Sequence, residues 1–222
     1  MIHPATRQTR LLSVFLFSGF SAVSALFAET SVPADEALAR LTAGNARFVS
    51  GNVTHPDQSP ERRHALEKGQ APFAIVLTCA DSRVAPELYF DQGLGDLFVL
   101  RNAGNVLDDH IVGSIEYAVE HLHARLIVVV GHEKCGAVAA TVAGGHAPGH
   151  IHSIVDSLEP ALESVKAQEG DKVDLTVRAN ARRVADILSR LEPIISESVK
   201  SGEVKVVAAR YELGSGKVDF LP

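Results

Sequence analysis

Four short, nearly continuous apolar runs stand out along the chain, at positions 73–78, 97–100, 126–130 and 204–208, with Thr78 and Lys205 as their polar members. Runs of this length without polar alternation are typical of strands that are covered on both faces. We therefore predict four buried strands of a mainly parallel sheet. The stretches 204–211 and 217–221 flank Gly214-Ser215-Gly216, which predicts a hairpin near the C-terminal end.

In the segments between these runs, apolar residues recur at the spacing of a helix. The pattern predicts a helix from Ser59-Pro60 to about Gly69 and further helices over 34–49, 112–122, 137–142, 151–167 and 175–199. Alternation of strands and helices indicates an α/β fold, with a mainly parallel β-sheet flanked by helices. No internal repeat or clear linker interrupts this alternation, so we predict a single folded domain.

The first 28 residues have the character of a targeting segment. Arg7 and Arg10 precede an uncharged, largely apolar stretch over 11–28 that ends in small residues. This arrangement predicts a signal peptide over 1–28 and a mature domain over 29–222. An uncleaved membrane anchor is the alternative, because 18 residues is near the lower limit for a membrane span. With cleavage, we expect export across the inner membrane to the periplasm and no stable membrane insertion.

Composition narrows the classes of function. The 222-residue chain carries 21 Lys and Arg against 27 Asp and Glu, which gives a net charge of −6. This balance supplies no basic excess for phosphate neutralisation, so we expect no nucleic-acid partner. Only two cysteines are present, Cys79 and Cys135, which excludes a disulfide-rich scaffold and any site built of four thiolates.

Both cysteines follow predicted strands. Cys79 comes directly after the first strand, and Cys135 closes the segment GHEKC (131–135), which follows the third strand and contains His132. Open parallel sheets collect binding groups at these carboxyl ends. Two thiolates and an imidazole suit zinc, and three protein ligands leave one position open, as in catalytic sites. A disulfide is the alternative, but it accounts neither for His132 nor for Asp81 and Arg83 beside Cys79.

Three segments, CADSRV (79–84), RNAGN (101–105) and GHEKCGA (131–137), resemble the signature of the β-class carbonic anhydrases. The similarity covers most of the chain, from GQAP (69–72) to YELGSGKVDFL (211–221). The resemblance implies reversible hydration of CO₂ to bicarbonate and a proton, in a homodimer or a dimer-based tetramer. It also implies one Zn²⁺ per subunit, with the ligands Cys79, His132 and Cys135.

The resemblance assigns roles to residues around the metal as well. Asp81 and Arg83 match the catalytic pair of the family, and Asp81 can also become a fourth zinc ligand in a closed, inactive state. Zinc lowers the pKa of bound water from about 15.7 to about 7, and Asp81, held ionised by Arg83, can orient the resulting nucleophile. The residues that match the substrate pocket, some of them contributed by a neighbouring subunit, are Gln70, Phe98, Tyr117 and Gly136.

One position departs from the family pattern. Family members inhibited by bicarbonate carry a Trp three residues before the first ligand cysteine, where this chain has Val76, and the chain contains no Trp. Arg101 and Tyr211 resemble other parts of that inhibitory site, which is therefore incomplete here. We expect the open arrangement, with Asp81 off the zinc, at neutral pH.

Two further functions stay open at the level of sequence. A related zinc hydrolase acting on CS₂ or COS would keep the fold and the metal, because selectivity would depend on the shape of the access tunnel. A zinc-binding module without catalysis is the other, although binding alone would not require Asp81 and Arg83. The histidine-rich stretch 144–152 is interpreted as a loop rather than a second metal site.

Overall fold

The computed structural model describes residues 31–144 and 147–222, so the predicted signal peptide lies outside the described residues. Within this part of the chain a central sheet contains the strands β1 (Ala74–Cys79), β2 (Leu97–Asn102), β3 (Leu126–His132), β4 (Lys205–Tyr211) and β5 (Val218–Leu221). Their order in the sheet is β2-β1-β3-β4-β5. Adjacent strands are parallel except for β4 and β5, which form the predicted antiparallel C-terminal hairpin.

The central strands β1 and β3 are buried on both faces of the sheet, but the prediction of a buried strand is wrong for β2, which lies at the edge and is mostly half-buried, and holds only for the second half of β4. Every residue of β1 and of β3 is buried. Val76 and Val128 belong to one hydrophobic cluster, whereas their chain neighbours Leu77 and Val129 belong to a second cluster on the opposite face. Burial on both faces explains the apolar runs that form β1 and β3, and the predicted α/β fold with a mainly parallel sheet is confirmed.

Helices supply the cover for both faces. In the described residues these are α1 (Ala34–Ser50), α2 (Pro60–Leu66), α3 (Pro86–Tyr89), α4 (Asp109–Glu120), α5 (Gly136–Ala143), α6 (Ile151–Ser164), α7 (Lys172–Ser189) and α8 (Ile194–Lys200). Leu41 of α1 and Leu158 of α6 belong to the first cluster, and Ile115 of α4 and Leu188 of α7 to the second. Over 31–144 and 147–222, none of the helices has the length and apolar character that a membrane crossing requires.

The predicted single helix over 175–199 is wrong. The structure has two helices there, α7 and α8, with a break before Pro193. Proline has no amide hydrogen and disfavours the helical conformation of the residue before it, so the helical hydrogen bonds do not continue through this point. Leu188 before the break and Ile195 after it are both fully buried. Apolar residues therefore recur at helical spacing across the break, and the sequence pattern does not reveal it. The four-residue helix α3 was not predicted from the apolar pattern.

Asp91 is a buried carboxylate that fastens the loop after α1 to the chain that follows α3. Its side chain is 1% exposed and accepts hydrogen bonds from Arg47 Nε at 2.5 Å and from the Thr54 hydroxyl at 2.9 Å. The amides of Thr54 and His55 also donate to it, both at 3.0 Å. Burial by itself would raise the pKa of Asp91, but these hydrogen bonds outweigh it and hold the pKa well below the usual value.

We expect the substitution Asp91→Asn to lower the free energy of unfolding by about 2–4 kcal/mol at pH 7, because it removes the charge that Arg47 and two amides stabilise. A carboxylate with a depressed pKa contributes stability above its unfolded pKa of about 3.9 and loses it as the pH falls towards the folded value. The difference between the two proteins should therefore shrink below about pH 4. Urea denaturation at pH 7 and pH 3 measures this, and an equal difference at both pH values would contradict it.

Candidate metal centre

Two neighbouring parallel strands and the start of a helix bring three ligand atoms together. Cys79 is the last residue of β1 and His132 the last residue of β3, while Cys135 immediately precedes α5. The two sulfur atoms are 4.0 Å apart, and the two sulfurs and a ring nitrogen of His132 all lie within 4.8 Å of one another. All three residues are buried. Elsewhere in the described ranges no other group of three such ligands occurs.

The alternative of a disulfide is not what the structure contains. Cys79 and Cys135 are free thiols, and their sulfur separation of 4.0 Å is about twice the length of a disulfide bond. The apolar pattern predicts both cysteines after strands. The structure places Cys79 within β1 itself, so its backbone is part of the rigid sheet.

The imidazole of His132 is prepared for coordination through Nε2. Its Nδ1 lies 2.9 Å from the carbonyl oxygen of Glu133, and since a carbonyl can only accept, Nδ1 carries the hydrogen. Nε2 then presents a lone pair, and this atom is fully buried without a hydrogen-bond partner in the described structure. A buried nitrogen without a partner is costly unless something occupies its lone pair. The atom faces the two thiols, so a metal ion fits the site.

The two thiols differ in their surroundings. Cys79 Sγ accepts hydrogen bonds from Cys135 and, at 3.4 Å, from the Gly104 amide, and these contacts hold the pKa of Cys79 below its usual value. The pKa of Cys135 is raised, because its hydrogen is held by Cys79 and because it is buried; the amides of Ala137 and Val138 at the start of α5 act in the opposite direction. The pair by itself stabilises one negative charge. A divalent cation would stabilise the second, which is the chemistry of a Cys₂His zinc site.

Asp81 and Arg83 form a bidentate ion pair beside this cluster. Arg83 Nε lies 2.9 Å from Asp81 Oδ1 and Nη2 lies 2.7 Å from Oδ2, and the Arg83 amide also donates to Oδ1 at 2.9 Å. The guanidinium reaches further to the Lys134 carbonyl at 3.4 Å. This pair connects the segment after β1 to the segment after β3.

The charge of Asp81 is secured by these contacts. The Arg83 guanidinium holds the pKa of the Asp81 carboxyl well below its usual range, so the group stays ionised at neutral pH. Asp81 Oδ2 lies 3.9 Å from His132 Nε2, so the carboxylate faces the ligand cluster without belonging to it. The structure therefore has Asp81 paired with Arg83 rather than placed as a fourth ligand.

Arg101 has a structural role that the sequence did not predict. It pairs in register with Thr78, so its side chain reaches across the carboxyl end of β1. Nε donates to the carbonyl of Cys79 at 3.0 Å and Nη2 to the carbonyl of Asp81 at 2.7 Å. Arg101 thus holds the backbone between Cys79 and Asp81. Tyr211, which the sequence linked with it, is buried and stacked on Tyr89 with ring centroids 4.7 Å apart.

The four predicted pocket residues are not gathered around the ligands of the same chain. Gly136 is close to them, because it begins α5 next to a ligand. Phe98 is the second residue of β2, and the ring of Tyr117 packs 6.4 Å from it. Gln70 is exposed and precedes the amino end of β1. The length of β1, about 16 Å, therefore separates that end from Cys79.

Comparisons with known proteins agree with this site. A family model described as "Carbonic anhydrase" matches residues 74–218. Carbonic anhydrase 2 of Mycobacterium tuberculosis is 42% identical over 181 residues, which cover 80% of this chain and 87% of that protein. A tetrameric β-carbonic anhydrase of Sordaria macrospora superposes with a TM-score of 0.68 at 26% identity, covering 84% of this chain and 95% of that one. A β-carbonic anhydrase of Aspergillus fumigatus gives 0.65 at 28% identity, with 84% and 89% coverage.

The matched region runs from the first strand to the last, and so includes both segments that carry the ligand cluster. The fold and the cluster together define a metal-site enzyme of the β-carbonic anhydrase class. This chain belongs to the carbonic anhydrase family, and its reaction is the reversible hydration of CO₂ to bicarbonate and a proton.

Proposed function

We propose that each subunit holds one Zn²⁺ between Cys79, His132 and Cys135 and uses it to hydrate CO₂. The observation that carries this proposal is the buried Nε2 of His132, which has no hydrogen-bond partner in the described structure and faces two thiols. When bound, zinc supplies a Lewis acid that lowers the pKa of water enough to give a hydroxide nucleophile at neutral pH. A Cys₂His donor set fits this metal and its catalytic form of coordination.

Asp81 and Arg83 are the residues that we propose for catalysis. The ionised Asp81 carboxylate would accept a hydrogen bond from the nucleophile and so direct the nucleophile's lone pair at the carbon of CO₂. Arg83 fixes the orientation of that carboxylate with two parallel hydrogen bonds and opposes its movement onto the metal. Gly136, the first residue of α5, contributes a backbone amide beside the ligand Cys135.

The test of this function is a stopped-flow measurement of CO₂ hydration combined with metal analysis of the purified protein. About one zinc per chain and hydration that a strong zinc chelator abolishes support the proposal. Zinc-loaded protein without hydration activity would overturn it. Parallel assays with COS and CS₂ distinguish the related hydrolase, which would turn over one of these compounds in preference to CO₂.

We further propose that the active unit contains at least two copies of the chain. Gln70 precedes the amino end of β1, and Phe98 pairs with Ile75 near that same end, with Tyr117 beside it. Cys79 lies at the opposite end of β1, so a second subunit would bring these residues to a metal site. The edge strand β2 supports this, because its Leu97, Phe98 and Val99 are only half-buried. Tyr117 is 48% exposed beside it. A second copy would cover this edge and these apolar side chains. The tetrameric relative from Sordaria macrospora is in keeping with such an assembly.

Hybrid dimers test whether Gln70 serves the partner's site. One chain carries Cys135→Ser and keeps Gln70, and the other carries Gln70→Ala and keeps its ligands. Gln70→Ala dimers should lose about tenfold in kcat/KM, as expected for one lost substrate hydrogen bond. The hybrid should recover about half the activity of a wild-type dimer, because the Cys135→Ser chain lends its Gln70 to the intact metal site.

A hybrid of Cys135→Ser with wild-type chains is the control and should also retain about half the activity. If Gln70 served its own subunit, the mixed dimer of the two variants would recover nothing, and this result would contradict the shared pocket.

Export to the periplasm is the last part of the proposal. The charged, apolar and small-residue pattern over 1–28 supports it. Cell fractionation and the intact mass of the purified protein test it. Full-length protein in the cytoplasmic fraction would contradict both the export and the cleavage after Ala28.

A further inference from the structure

The turn that follows β2 supplies a hydrogen bond to a metal ligand. This turn contains Ala103–Asn105, and the amide of Gly104 within it donates to Cys79 Sγ at 3.4 Å. Asn102 closes the base of the turn, since its side chain accepts from the Val106 amide at 3.0 Å and donates to the Val106 carbonyl at 2.9 Å. The turn is therefore held in shape by the side chain of Asn102, and the Gly104 amide within it faces the Cys79 thiol.

Gly104 fits this position because it has no side chain. Its φ of +77° lies in the left-handed region that side chains disfavour. A Cβ there would lie 3.0 Å from Leu158 Cδ1 and 3.3 Å from Ala137 Cβ. The turn thus packs closely between the ligand Cys79 and two helices, α5 and α6. Small shifts of Gly104 would lengthen its hydrogen bond to sulfur.

A buried amide from a distant helix holds the other side of Gly104. Asn180 of α7 is 1% exposed, and its Nδ2 donates to the Gly104 carbonyl at 3.0 Å. Its neighbours Val177, Ala181 and Val184 on the same helix are buried and apolar. Burying a polar amide among such residues costs free energy that a hydrogen bond offsets. Within the described ranges, Oδ1 of Asn180 has no hydrogen-bond partner, so the side-chain amide is held through the bond that Nδ2 donates to Gly104.

We propose that Asn180 is a positioning residue of the metal site. It holds Gly104 so that the Gly104 amide donates to the Cys79 sulfur, which withdraws charge from the thiolate and keeps this ligand oriented. The inference rests on the zinc site of the proposed function. Groups that hydrogen-bond to metal ligands tune affinity and electronic structure in this manner, and their loss typically costs 10–100-fold in metal affinity.

Variants at Asn180 test the proposal through metal binding rather than activity. Asn180→Leu keeps the branched arrangement of four side-chain heavy atoms but has no donor, and Asn180→Ala is a smaller second variant. With either, we expect zinc affinity, measured by chelator competition, to fall about tenfold. In the cobalt-substituted protein the sulfur-to-metal charge-transfer band should move to longer wavelength, because a thiolate without its hydrogen bond gives up an electron more readily.

Asn45→Leu is the matched control. Asn45 is also a buried amide that donates to two backbone carbonyls, those of Tyr89 at 2.9 Å and Gly216 at 2.8 Å, and it accepts from the Val218 amide. Its loss should reduce stability and leave zinc affinity and the cobalt spectrum unchanged. Equal effects of the Asn45 and Asn180 variants on affinity and spectrum would overturn the proposal, since they would indicate general loosening of the fold.

A measurement on the unaltered sequence keeps the test independent of how the variants fold. In protein loaded with ¹¹³Cd, a hydrogen bond from Gly104 to the Cys79 sulfur should transmit a scalar coupling between the cadmium nucleus and the Gly104 amide proton. Absence of this coupling in metal-loaded protein would overturn the inference while leaving the zinc site intact. Failure of the protein to bind cadmium or zinc would instead overturn the metal site of the proposed function.

Discussion

Replacement of Cys135 by serine is expected to remove zinc from the protein and to lower CO₂ hydration by a factor on the order of a thousand or more. A serine hydroxyl does not ionise at neutral pH and is a poor zinc ligand, so only Cys79 and His132 would remain. Two ligands do not hold zinc against dilution or a chelator. Metal analysis after gel filtration and stopped-flow hydration measure the two effects.

Thr141→Ala is a suitable control for Cys135→Ser. Thr141 lies on the same helix, α5, is 3% exposed, and donates to the Ala137 carbonyl at 3.0 Å. The variant should keep about one zinc per chain and hydrate CO₂ at nearly the wild-type rate. Cys135→Ser protein that retained a full complement of zinc would show that Cys135 is not a ligand and would contradict the proposed site.

The second large effect is expected from Asp81→Asn, which should lower kcat by about 100–1,000-fold while leaving zinc bound. Asparagine has the shape of aspartate but no charge, and its amide would turn a donor towards a position that requires an acceptor. Arg83 would also lose the carboxylate that it binds through two hydrogen bonds. Loss of activity with unchanged metal content separates this effect from the loss of a ligand.

The pH dependence of the wild-type protein gives an independent check on Asp81. Its depressed pKa means that the carboxylate is ionised above the acidic range, so protonation of Asp81 should not reduce activity between about pH 5 and pH 8. A loss of kcat in this range that Asp81→Asn abolished would contradict the assignment.

Asp91→Asn is the matched control for Asp81→Asn, because each carboxylate is paired with an arginine in the same chain. Asp91 lies outside the ligand cluster and binds Arg47 instead. Its substitution should reduce stability and leave kcat within about twofold of the wild type at a temperature where the variant is folded. An equal loss of kcat in both variants would show that the effect at Asp81 is structural.

The sheet was predictable because its physics is local. Strands buried on both faces are apolar at consecutive positions, so β1 and β3 stood out as runs without knowledge of their partners. The prediction of one continuous helix over 175–199 was wrong. Buried apolar side chains on both sides of Pro193 recur at helical spacing, and the prediction followed this spacing rather than the proline. The clustering of Cys79, His132 and Cys135 was predictable because parallel strands end at one edge of the sheet.

The substrate pocket was harder to predict from the sequence than the sheet. The resemblance to the family named Gln70, Phe98 and Tyr117, and these assignments stay predictions that the hybrid dimers test. No pattern in one chain says which residues meet across subunits, since that depends on how two folded surfaces fit together.

By itself the sequence determined the fold class, the three residues of the candidate metal site and the position of Asp81 and Arg83 beside Cys79. Those features depend on residue type and on spacing within short segments. Only the tertiary structure decided that His132 presents Nε2, that Arg101 holds the backbone between Cys79 and Asp81, and that Asn180 holds Gly104. The physical reason is that a hydrogen bond requires two groups within about 3 Å, and residues 76 positions apart, as Asn180 and Gly104 are, approach so closely only after the helices have packed on the sheet.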